Sequence, residues 1–188
     1  MTTTRDWGHA RDMWIRMLEK QTGKGLDHWN ARIGKKKFAD ADRLREWLAA
    51  EGVTGYAAQI LVMERFGYPD FVTSSADELI DAQYTDRPHL RPIYEAIVAS
   101  ARGFGEIVIQ ARKGFVSLMT PKRTFARVRA TTKDRIDVGL RLKGVQPRGR
   151  LKPSRISETT PVEVSLSELE DLDVDVLKWL RKAYEESL

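Results

Sequence analysis

Apolar residues recur at helical spacing through the first hundred positions of the chain and at alternating spacing afterwards. Trp7, Ala10, Trp14, Met17 and Leu18 mark one face of a first helix, which Thr4 or Asp6 can cap and Thr22-Gly23 can end. Leu26, Trp29 and Ile33 mark a short second helix stopped by Gly34. Asp40 opens a third that carries Leu44, Trp47 and Leu48 and ends at Gly52. Thr54 can cap a fourth, "GYAAQILVMERF", closed by Gly67. Two overlapping capping boxes, Ser74 to Asp77 and Ser75 to Glu78, start a short fifth helix. Asp86 and Pro88 then begin a longer one, with Leu90, Ile93, Ile97 and Val98 on its apolar face and Gly103 as its stop.

Beyond Gly103 the period falls to two. Strands are predicted near 106–110, 115–119, 124–130, 134–142 and 161–165, joined by turns such as Arg112-Lys113-Gly114 and Pro121-Lys122-Arg123. Such short connections make neighbouring strands antiparallel. A last amphipathic helix, capped by Asp173, carries Val176, Leu177, Leu180 and Tyr184. The predicted fold class is α+β: a helical domain over 1–70, a connecting segment with a short helix over 71–87, and a helix–antiparallel sheet–helix domain over 88–188.

Two stretches resemble known families. "MLEKQTGKGLDHW" followed by "LREWLAAEGVTGYAAQILV" is similar to a small helical domain of uncharacterised bacterial proteins, with Leu18 between Met17 and Glu19 of its Met-x-Glu-Lys pattern. "LRPIYEAIVAS", "KGFVSLMTPKRTFARVRATTKDRIDVGLRLKG" and "VDVLKWLRKAYEES" together resemble a second uncharacterised domain, found at the ends of modification-dependent restriction nucleases. The resemblance implies no established activity. Its restriction association favours nucleic acid as a partner.

Charge sharpens that expectation. The net charge is +5, but residues 101–155 carry 15 Lys and Arg against 3 acids, while residues 156–188 carry 3 against 9. A basic block in an otherwise near-neutral chain creates a local field, and such fields select partners. The competing expectation is that the acidic tail folds over the basic strands and neutralises them. The chain has no cysteine and no run of 18 apolar residues, so no disulfide, thiolate metal site or membrane helix is expected, and the cytoplasm is the simplest location.

Catalytic chemistry finds little footing. His9, His28 and His89 share no metal-ligand spacing, so neither metal nor cofactor is expected. Asp134 and Asp137 are expected to pair with Arg135 or a neighbouring arginine rather than to act as acid and base. Ser117 has no histidine near it in sequence. "GVTGYAAQIL" invites a DNA-binding hairpin reading, although helix stop and helix cap account for both of its glycines.

The candidate site is therefore a binding surface, non-enzymatic and basic. In "FARVRATT" alternation puts Ala126, Val128 and Ala130 on one face and Phe125, Arg127 and Arg129 on the other. In "RIDVGLRLK" it puts Arg135, Arg141 and Lys143 on that outer face, and the turns and following loop add Lys113, Lys122, Arg123, Arg148 and Arg150. Guanidinium groups match phosphate oxygens in pairs, and exposed Phe125, or Phe115, could stack on bases. Nucleic acid is the expected partner. An anionic small molecule or an acidic protein in the sheet–helix groove is the alternative.

Overall fold

The computed structural model describes residues 2–188 and has the α+β architecture expected from the sequence. It forms two compact units: Asp6–Ser74, and the N-terminal strand together with Ser75–Leu188.

The first unit is helical. Helix α1 (Trp7–Thr22) is capped by Asp6, whose side chain accepts from the Gly8 N–H, and it ends at Gly23 in the left-handed conformation. Helices α2 (Leu26–Gly34), α3 (Ala41–Ala50) and α4 (Gly55–Phe66) follow, and the four-residue α5 (Asp70–Thr73) packs on α1. Leu18, Ile33, Leu44, Leu48, Ile60 and Leu61 fill the centre, with Trp14 and Trp29 buried beside them. Four of the five tryptophans are thus in or against this core, where their large apolar area stabilises a small unit. In "GVTGYAAQIL", Gly52 and Gly55 have φ of 81° and 59°, and Val53 between them is buried. The left-handed backbone accounts for both glycines.

The second unit begins with strand β1 (Thr2–Arg5), which pairs in parallel with β2 (Ile107–Ala111). The sequence pattern did not predict β1, because four residues are too few to establish a period. Helix α6 (Ala76–Tyr84) carries a complete capping box between Ser75 and Glu78 and packs on β2, and Gln83 donates to the carbonyl of Arg112, just past the end of that strand. The predicted connecting segment 71–87 therefore divides, with α5 on the helical core and α6 on the sheet. Ser75→Ala removes the cap and should lower the unfolding free energy by about 1 kcal/mol, read as a lower urea midpoint at unchanged slope.

A 3₁₀ turn at Pro88–Leu90 leads into α7 (Arg91–Arg102). Strands β3 (Val116–Met119), β4 (Thr124–Thr132), β5 (Arg135–Leu140), β6 (Lys152–Ser157) and β7 (Thr160–Leu166) complete the sheet, and α8 (Val174–Glu185) closes the chain. The strand order is β1-β2-β3-β4-β5-β7-β6, and every neighbouring pair but the first is antiparallel. Strand β6 was not among the predicted strands, because it follows Pro147 and Gly149 and carries Pro153 itself. It lies at the sheet edge, where a proline's missing N–H leaves no ladder bond unmade.

One face of the sheet is apolar. Ile109, Leu118, Ala126, Leu140 and Val162 align across five strands, and the neighbouring row holds Ala111, Val116, Val128, Val138 and Val164. All ten are buried. Ile93 and Ile97 of α7 and Val176 and Leu180 of α8 are buried as well, and α8 packs on β4 and β5. The C-terminal helix therefore lies on the apolar side, not over the arginines.

Candidate functional site

The opposite face is built by the same registers. Arg127 stands directly across from Gly139, and Arg129 across from Asp137. On the far side of β5, Gly139 faces Glu163 and Asp137 faces Ser165, while Lys152 of β6 faces Glu163. One row thus reads Ser117, Arg127, Gly139, Glu163, Lys152, and the next holds Arg129, Asp137 and Ser165. This face divides into an open cationic half and a covered acidic half.

The open half centres on Arg127. Its guanidinium sits 5.1 Å from the centroid of the Phe115 ring, and its Nε is buried without a hydrogen-bond acceptor. Burial, and then the nearby charge of Arg141, pull its pKa below the ordinary arginine value. No carboxylate pairs with it among the described residues. A half-buried cation beside another cation, with no carboxylate paired to either among the described residues, is an energetically costly arrangement. Arg141 is held in place by a 2.8 Å hydrogen bond from Nε to the Thr124 carbonyl. Arg129 is exposed alongside.

Phe125 is a correction to the sequence reading. It is completely buried, with its ring edge-on to Tyr184 of α8 at 5.4 Å and 87°. The cause is a register shift: Leu118 pairs with Ala126 but Met119 pairs with Thr124, so Phe125 is the extra residue of a bulge. A bulge breaks the two-residue alternation and lets adjacent side chains enter the same side. Phe125 cannot stack on a base from there. Phe115, two residues before Ser117, is the aromatic residue on the cationic face.

The other predicted residues are distributed unevenly. Lys122 and Arg123 are exposed in the β3–β4 turn, at the end of the sheet where Lys143 follows β5. Lys113 lies at the other end, in the β2–β3 turn. The Lys143 backbone N–H donates to Glu186 at 2.8 Å, and its side chain is exposed. Arg148 is exposed in the loop after β5. Two cations are already committed. Arg135 pairs with Asp137 at 3.0 Å, as expected for that acid, and Arg150 bridges Asp173 at 2.5 Å and the Asp171 carbonyl at 2.8 Å. The acidic tail thus neutralises Arg150 at the rim while leaving Arg127, Arg129 and Arg141 unpaired by its carboxylates.

The covered half was not anticipated. A Cβ on Gly139 would stand 2.7 Å from Thr160 Oγ1 and 3.3 Å from Ile156 Cδ1, so the bare glycine lets the β6–β7 hairpin close over β5. Beneath it Asp137 is 3% exposed and Glu163 is 7% exposed. Asp137 is fully engaged, by Arg135 and by the Ser165 hydroxyl at 2.7 Å. Glu163 accepts one hydrogen bond, from the Arg155 backbone N–H at 2.8 Å, and forms no ion pair among the described residues. In sequence, "TPVEVSL" alternates like any half-exposed strand, and nothing in it signals that the outward glutamate is covered.

Among the described residues no group of three or more His, Asp or Glu side chains is arranged to hold a metal ion. No helix among them is long and apolar enough to cross a membrane. Residues 80–187 match the model of a domain of unknown function, DUF5655, from within α6 through β2–β7 to α8. No curated protein and no solved structure matches the chain.

Proposed function

The chain belongs to the DUF5655 family, and we propose that it binds nucleic acid through the cationic half of the outer sheet face. The observation that carries this reading is Arg127, stacked on Phe115, half-buried beside Arg141 and paired with no carboxylate. A phosphate diester offers what that pair lacks, since two oxygens can accept from one guanidinium fork and its charge offsets both cations. Arg129 continues the face along β4, and Lys122, Arg123 and Lys143 extend it past the end of the sheet. The extent of the surface favours a polymer over a small anion, which would need only two or three such groups. The resemblance of the C-terminal region to domains at the ends of restriction nucleases points the same way.

Filter binding tests the reading with duplex DNA, single-stranded DNA and RNA at low ionic strength. Binding to at least one of the three, weakening as salt is added, is the expected outcome. Retention of none of them on the protein at low salt overturns it.

A further inference from the structure

We infer that the covered half of the outer face is a guanine-reading pocket for a single-stranded nucleic acid held on the adjacent arginines, an inference that rests on the function proposed above. A cavity of about 280 Å³ opens here, lined by Arg135, Lys152, Pro153, Arg155, Glu163 and Ser165. It falls just below the range, from about 300 Å³ upward, that holds whole small-molecule ligands, so a base suits it better than a full nucleotide.

Glu163 gives the pocket its chemistry. Its carboxylate is 7% exposed, accepts a single backbone N–H through Oε2, and has no ion-pair partner among the described residues. A largely covered carboxylate keeps its charge only where its remaining acceptor capacity meets water or a donor. Here Oε1 receives no hydrogen bond from the described residues, and the group borders the cavity. Oε1 is open to the cavity, so a ligand that displaces water from it must bring a hydrogen-bond donor in its place.

The surroundings narrow the donor further. Lys152 stands directly across from Glu163 on β6, and the Arg155 and Lys152 side chains are exposed at the mouth. The pocket thus offers a carboxylate, with Oε1 free and Oε2 already accepting one backbone N–H, beside cationic donors. Among the common bases only guanine presents two adjacent donors, N1–H and the N2 amino group, next to an acceptor, O6. Uracil and thymine place a single N–H between two carbonyls, and adenine and cytosine bring one amino group each. That edge of guanine is free only when the base is unpaired, as in single strands and loops. Pro153 and Arg135 also line the wall.

The test uses the intact protein and single-stranded probes of about 12 nucleotides, the length a sheet of this kind can track. One probe is all thymidine, one carries a single central guanine, and one carries inosine there, which keeps N1–H and O6 but lacks the N2 amino group. RNA counterparts with uridine run in parallel. The guanine probe should bind about tenfold tighter than the thymidine probe, and inosine should fall between them. Glu163→Gln should erase the guanine preference while leaving thymidine binding within about twofold, because the phosphate contacts lie elsewhere. Equal binding of the three probes by the wild type overturns the pocket and leaves the phosphate reading standing. So does a preference that persists in Glu163→Gln. If that variant does not fold, the inosine probe on the wild type decides alone, since equal binding of guanine and inosine removes the second donor from the account. A wild type that binds no probe at low salt overturns both readings together.

Discussion

Replacing Arg127, Arg129 and Arg141 together by glutamine should cut nucleic-acid affinity sharply at moderate salt and leave the fold intact. Each phosphate contact releases condensed counterions, so each one lost lowers the log–log salt slope by about 0.7 to 0.9, and three lost contacts lower it by roughly two units or more. Stability should hardly change. Arg127 is penalised by burial and by the charge of Arg141, and none of the three makes an ion pair with a described residue, so the folded state loses repulsion as well as contacts. The glutamines still span the pleat, although the Arg141 bond to the Thr124 carbonyl is lost. The thermal midpoint should stay within about 4 °C of wild type, equivalent to about 1 kcal/mol in a protein of this size.

Phe125→Ala should do the reverse. The side chain is completely buried against Tyr184, and truncating a buried phenylalanine costs about 3–5 kcal/mol in lost apolar contact and residual cavity. That is a large fraction of a typical domain's total stability. Urea titration followed by far-UV circular dichroism should show a strongly lowered midpoint. The fraction that remains folded should bind nucleic acid with unchanged affinity, because Phe125 faces α8 and not the arginines. A variant as stable as wild type but impaired in binding would place Phe125 on the surface after all.

These two residues mark how far the sequence could be read. Helix positions were legible because each has a cap or a glycine stop next to an apolar stripe, as with Asp6 and Gly23 around α1 or Ser75 and Glu78 at α6. Alternation located the central strands and identified Arg127, Arg129 and Arg141 as outward. It failed at Phe125, since a bulge is a property of two paired strands and leaves no mark in one of them. It failed again at β1 and β6, one too short for a period and the other carrying an edge proline. Glu163 was invisible for a third reason. Its burial depends on Gly139, 24 positions earlier, being small enough for a hairpin to close over it. The pairing of Arg150 with Asp171 and Asp173 likewise joins two parts of the chain that composition only showed to be oppositely charged.

The most direct measurement of the central claim is the salt dependence of single-strand binding, compared between the outer-face triple variant and a control. Arg16, Arg43 and Arg45 serve as the control, being exposed on helices of the other compact unit, so that their replacement by glutamine removes the same formal charge. Between about 50 and 200 mM salt, the wild type and the control should share one steep slope, and the outer-face variant should be shallower by about two units. Equal slopes for all three proteins, or an equal loss in both variants, would contradict phosphate contact at the arginine face.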